Sequence, residues 1–166
     1  MINVKLTRAE LSACEQGAAL RWQMARSSGV ADQQKAPQEN IDLLGIKAEL
    51  AVSKVLQLPY SPASLGIDNG TDMWAGDWSI DVKASFHERG RLLFKSKESF
   101  RADMSVLVTA TDDPSVMFIE GGISQRRFMA EAKAVNLGHG NCWIVERPDL
   151  TSIEEIWLAI TKIRVG

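Results

Sequence analysis

A chain of 166 residues, 45% hydrophobic and 24% charged, has enough material for one folded domain with a sizeable core and too little for two large ones. With twelve glycines and five prolines it is neither fibrous, repeat-built nor disordered in composition. Its formal net charge of -2 excludes a global positive field that would draw nucleic acid or an anionic membrane to the whole surface. Cys14 and Cys142 stand far apart, with no Cys or His at metal-ligand spacing. That argues against a disulfide framework or a structural zinc site and fits a reducing, intracellular compartment. "MINVKLTRAELS" lacks the apolar core of a signal peptide, and no run of about 18 apolar residues occurs. The expectation is a soluble cytoplasmic protein with no membrane partner.

The first 28 residues read as a helix begun by Thr7, with Glu10 in capping-box register and Leu11, Cys14, Ala18, Trp22 and Ala25 along one face, ended by Gly29. "VADQQKAPQEN" is polar and broken by Pro37, a connector that leaves the first helix able to move relative to the rest. The division expected is therefore 1–40, helix and connector, and 41–166, an α/β core, within one compact domain. "IDLLGIKAELAVSKVLQLP" follows as a buried helix, with Leu43, Ile46 and Leu50 on one stripe, Leu44, Ala48, Ala51 and Val55 on the next, and Pro59 as its stop.

After the turn-rich "YSPASLGIDNG", the stretch "TDMWAGDWSIDVKAS" makes two short strands joined by a turn at Ala75, Gly76 and Asp77. "SVLVTA" and "SVMFIEG" are two further strands separated by "TDDP". "SQRRFMAEAKAVNLG" reads as a helix with Phe128, Ala132 and Val135 at helical spacing, and "NCWIVE" as a strand. "SIEEIWLAITKI" is a final helix, with Ser152 and Glu155 in capping-box register. The fold class expected is α/β: helices covering a mixed central sheet.

The chemistry concentrates in the hairpin. Alternation along "SIDVKA" sends Asp81 and Lys83 to one face and Ile80, Val82 and Ala84 to the other, where they can join the core. Folding the hairpin brings Asp72 across toward Asp81. Two carboxylates so placed repel each other unless a divalent cation takes their oxygens, and a neighbouring lysine offsets the charge further. The plainer alternative is a solvated Asp and Lys pair on an ordinary strand. Asp77 also lies nearby, but its place after Gly76 suits a turn.

Asp72, Asp81 and Lys83 in this order and on a hairpin resemble the PD-(D/E)xK nuclease superfamily, which includes restriction-endonuclease-like enzymes, Holliday-junction resolvases and several phage nucleases. The likeness runs over residues 43 to 120, with Thr71 where many members carry proline. It implies a restriction-endonuclease-like core and an endonuclease or related hydrolase acting on DNA. It implies that Glu49, in "GIKAELAV" on the helix before the hairpin, completes the catalytic set Glu49, Asp72, Asp81 and Lys83. Asp72, Asp81, the Val82 carbonyl and Glu49 would then hold Mg²⁺, with Mn²⁺ as a substitute, while Lys83 aids the attacking water. A phage-encoded chain of this kind would work in the host cytoplasm. A symmetric homodimer would set two sites on two strands, though no residue pattern demands one.

Residues 83 to 101 carry six Lys or Arg against two Asp or Glu, a local charge of +4 against -6 elsewhere. Arg89, Arg91, Lys95, Lys97 and Arg101, interleaved with Phe86, Phe94 and Phe100, form a candidate phosphate-backbone groove; the alternative is a solvated edge whose phenylalanines enter the core. Gln125, Arg126 and Arg127 place positive charge at a helix start, which an external anion or an acidic neighbour would explain. His87 and His139 read as loop and turn residues. Trp74 and Trp78 flank the hairpin turn as packing residues or, for one of them, as a stacking surface. Glu131 with Lys133, and Pro148 with Asp149, imitate the motif without its geometry. Two other functions stay open from sequence: a noncatalytic nucleic-acid-binding module with a nuclease-like fold, and a structural or protein-interaction domain.

Overall fold

The structure is a computed structural model that describes residues 1–27, 38–64, 70–87, 89–138 and 140–165. Gly29, Pro37 and most of the connector, and also His139, lie outside the described residues. Among the described residues eight strands and four α-helices follow one another as β1 (Ile2–Lys5), α1 (Arg8–Ser27), α2 (Gln38–Leu56), β2 (Met73–Ala75), β3 (Trp78–Ser85), β4 (Leu92–Phe94), β5 (Met104–Ala110), β6 (Val116–Ser124), α3 (Gln125–Glu131), β7 (Lys133–Asn136), β8 (Asn141–Val145) and α4 (Ile153–Val165).

The central sheet has five strands in the order β1-β6-β5-β3-β2. It is mixed: β3 runs parallel to β5, with Asp81 opposite Ser105, and every other pairing is antiparallel. The even-numbered residues of β3 and β5, Ile80, Val82, Met104, Val106 and Val108, join Ile46, Leu50 and Val52 of α2, Cys14 and Ala18 of α1 and Ile153, Ile156 and Ile160 of α4 in the larger core. The opposite face carries Leu107 and Ile123 into a second core with Leu92, Phe94, Phe100, Phe128 and Val145. Three rings anchor this second core: Phe94 stacks on Phe100 at 4.5 Å, and Phe128 meets both edge-on. A small sheet in the order β4-β8-β7 and helix α3 cover that side. The layers are thus three helices, the central sheet, and a small sheet with one short helix, which bears out a mixed α/β fold with helices flanking a central sheet.

Both capping boxes form: Thr7 N–H donates to Glu10 and Glu10 N–H to Thr7, and Ser152 and Glu155 exchange bonds in the same way. The expected hairpin is β2 and β3, with Ala75 opposite Trp78. Three expectations are corrected. Residues 2–5 form strand β1 on the edge of the sheet, paired to β6 with Ile2 opposite Ile119, rather than a prelude to the helix. The third helix ends at Glu131, and Lys133–Asn136 turns into a strand, because Phe128 fills the second core and Val135 pairs opposite Cys142. Helix α1 is packed rather than free: Cys14 and Ala18 are buried, and Gly17 lies so close to Pro62 that a Cβ there would come within 2.2 Å of its carbonyl oxygen.

Candidate active site

Strand β3 places Asp81 and Lys83 as their spacing predicts. Asp81 is 4% exposed, accepts from Ser105 Oγ at 3.0 Å across the parallel ladder, and pairs with Lys83 Nζ at 2.7 Å. Lys83 remains 40% exposed at its side chain, with its ammonium 5.2 Å from the centre of the Phe94 ring.

Asp72 stands one residue before β2. Its N–H donates to Ile80 C=O at 2.8 Å, and Met73 is also opposite Ile80, so two residues of this strand face one of β3. That irregularity turns the Asp72 carboxylate back onto β3, where Oδ2 accepts the Val82 N–H at 2.6 Å. Since Ile80 C=O and Val82 N–H point to the same edge, the Val82 carbonyl is directed there too, beyond the end of β2. Asp72 is therefore bonded to Val82, between Asp81 and Lys83 in the middle of β3, just beyond the end of β2. Arg101 lies near the segment that leads to Asp72: its Cβ is 3.8 Å from where a Cβ would stand on Gly70.

Glu49 is held by Arg21 of α1 and by Tyr60. Helix α2 packs on the even-numbered face of the sheet, whereas Asp81 projects from the odd-numbered one. Glu49 is 6% exposed and accepts two bonds from Arg21, at 3.2 and 2.9 Å, and one from Tyr60 Oη at 2.6 Å. Burial by itself would lower the Arg21 pKa, but the Glu49 bonds outweigh it and the net direction is up; the Asp72 charge acts on Arg21 in the same sense. Burial, then the Glu49 charge and hydrogen bond, push the Tyr60 phenol well above its ordinary range. Arg21 thus stands electrostatically between Glu49 and Asp72. Among the described residues no group of three or more His, Cys, Asp or Glu side chains is placed to hold a metal ion.

Sequence reasoning missed Arg21, Tyr60 and Ser105. Arg21 had a signal: it falls on the stripe Cys14, Gly17 and Ala18 that α1 buries, as Glu49 falls on the buried side of α2, so two opposite charges occupied facing apolar stripes. Ser105 had none, since the register of β5 against β3 cannot be read from the sequence.

The basic segment divides. Arg89, Lys95 and Arg101 are exposed. Arg91 pairs with Glu146 at 3.2 Å, and Lys97 donates to Met129 C=O with its ammonium 4.3 Å above Trp143. Phe94 and Phe100 enter the second core, whereas Phe86 is exposed. The Arg127 charge finds an acidic neighbour in Glu131, 2.8 Å away, and also donates to Thr151 Oγ1 and Asp149 C=O; Arg126 is exposed. Glu131 is therefore engaged with Arg127, and Pro148 and Asp149 sit in a one-turn 3-10 helix. His87 is exposed, its backbone N–H bound to Ser85 Oγ.

A scan against protein-family models, a search of curated proteins and a search of solved structures each find no match to the chain. Among the described residues, no helix is long and apolar enough to cross a membrane.

Proposed function

We propose that the chain is a metal-dependent deoxyribonuclease that hydrolyses DNA phosphodiester bonds at Asp72, Asp81 and Lys83, beside the middle of β3. The observation that carries this reading is the 2.6 Å bond from Val82 N–H to Asp72, because it pins a second carboxylate to the residue that separates Asp81 from Lys83. The donors offered there, Asp72, Asp81 and the Val82 carbonyl, are all hard oxygens, the set that suits Mg²⁺ or Mn²⁺ rather than zinc. Glu49 is an accessory acid whose recruitment requires release from Arg21 and Tyr60. A bound Mg²⁺ would supply Lewis-acid neutralisation of a phosphoryl oxygen and an acidified water. The chain's own residues do the rest. Ser105 fixes the Asp81 carboxylate, Asp81 carries the Lys83 ammonium at the strand surface, and Lys83 meets the negative charge that grows on the phosphate in the transition state. Arg89, Lys95 and Arg101 bind the flanking DNA phosphates without reading sequence.

The test is cleavage of linear, nicked, flapped and four-way DNA with Mg²⁺, where Asp81→Ala and Lys83→Ala should each lose about 100-fold in rate. Undiminished cleavage by either variant overturns the assignment.

A second reading, a noncatalytic nucleic-acid-binding module of the same fold, draws on one observation: Glu49 and Asp81 each already have a basic partner within ion-pair distance. Salt-sensitive DNA binding with no cleavage of any of the four substrates would favour it.

A further inference from the structure

Of the five tryptophans, Trp22, Trp78, Trp143 and Trp157 are half-buried, while Trp74 is 59% exposed. The contrast with its neighbours on β2 is sharp, since Met73 and Ala75 are both buried. An isolated exposed aromatic is ordinary on a protein surface. The place of this one is not. Trp74 is directly opposite Ser79, so its indole leaves the sheet on the face shared by Ser79, Asp81 and Lys83. Two residues of β3, about 7 Å along the strand, separate its level from that of Asp81. β2 is an edge strand of the central sheet.

An exposed indole on the face that carries Lys83 suits an anionic ligand with an aromatic group. Of the bases, Lys83 shares the Trp74 face and is half-buried against Asp81, and Arg89, Lys95 and Arg101 are exposed in the segment that follows β3 in the chain. Of the acids near Trp74, Asp103 is engaged in holding the Ser79 N–H at 2.8 Å and the Ser79 hydroxyl at 2.7 Å, Asp72 accepts the Val82 N–H, and Asp77 is exposed in the hairpin turn. An indole face accepts any base, but within a duplex each base face is already covered by its neighbours. Only an unpaired, frayed or terminal base can lie on it.

We propose that Trp74 is a stacking platform for an unpaired nucleobase, holding a single-stranded or frayed DNA strand beside Asp81 and Lys83. This inference rests on the nucleic-acid reading of the same site and adds the form of the substrate to it.

The experiment compares the full chain with Trp74→Ala and Trp74→Phe. Binding of a labelled oligothymidylate and of a blunt duplex of equal length is measured with Ca²⁺ in place of Mg²⁺, and cleavage of both is measured separately with Mg²⁺. Trp74→Ala should weaken oligothymidylate binding by about 5- to 100-fold, the worth of one base–aromatic stack, and leave duplex binding unchanged; Trp74→Phe should keep most of the affinity. Urea unfolding of each variant checks that the exposed substitution leaves the fold intact. Equal loss on both DNA forms, or no loss, overturns the platform. If the wild type binds neither form and Trp74→Ala alters only self-association, the indole serves a protein contact and the proposal falls. Absent cleavage with Trp74-dependent binding retained would remove the nuclease reading and leave the platform standing. Cleavage of both forms unaffected by Trp74→Ala would do the reverse.

Discussion

Two buried acids near β3 are neutralised in unlike ways. Glu49 is gripped by Arg21, 28 residues earlier in the chain, through two N–H···O bonds, with Tyr60 adding a third. Asp81 is met by Lys83, two residues along the same strand, through one bond, with Ser105 adding a neutral one. A guanidinium fork on a packed helix fixes two helices in register and gives up little when it holds its place. An ammonium on a flexible stem, partly in water, can leave one oxygen for another at small cost. The acid proposed as central to the chemistry is the one whose counter-charge is exchangeable, and the accessory acid is the one whose counter-charge also fastens α1 to α2.

The contrast breaks most readily at Arg21. Arg21→Met strands Glu49 in a buried setting with only Tyr60 for company, and should lower the unfolding free energy in urea by about 3 kcal/mol, the lower end of the cost of breaking a buried pair because Arg21 is partly exposed. Adding Glu49→Leu should restore most of it. Lys83→Met should cost less, about 1 kcal/mol, since Asp81 keeps Ser105 and the lost partner was half in water. Equal losses in the two single variants would abolish the distinction.

The smallest effect sharpens it with a third kind of acid, one that has no cation. Asp103 is held below the ordinary carboxylate range first by the Ser79 backbone N–H and then by the Ser79 hydroxyl. A depressed folded pKa means that its contribution is complete above the unfolded value near 3.8 and is lost as pH falls through the lower folded value. The stability advantage of the wild type over Asp103→Asn, followed by urea unfolding, should be small at neutral pH and shrink between about pH 5 and pH 2. An advantage that grows on acidification would refute the assigned cause.

Much of this was legible in the residues. Strand parity in "SIDVKA" put Asp81 and Lys83 on one face, the Gly76 and Asp77 turn put Asp72 beside them, and both capping boxes marked their helix starts. What failed was whatever depends on partners distant in sequence. "INVK" is too short to announce a strand until β6 lies against it. "KAVN" follows a helical pattern without a break until β8 claims it, because a few residues of ambiguous period take the structure of the surface they meet. The partners of Glu49 were beyond the sequence for the same reason: an arginine on another helix and a tyrosine in the following loop are not announced by the helix that carries the glutamate.

The edge strand β1 has a consequence for the order of assembly. Its partner in the sheet is β6, with Lys5 opposite Val116, so residues 2–5 wait for a strand more than 100 residues further on before they can settle. Helix α1 begins three residues after β1 ends, and its Arg21 fastens Glu49. A segment made before β6 is therefore secured only after it. A nascent chain that stops short of β6 would leave α1 without its anchor on the sheet, an apolar helix stripe open to the wrong neighbour during synthesis.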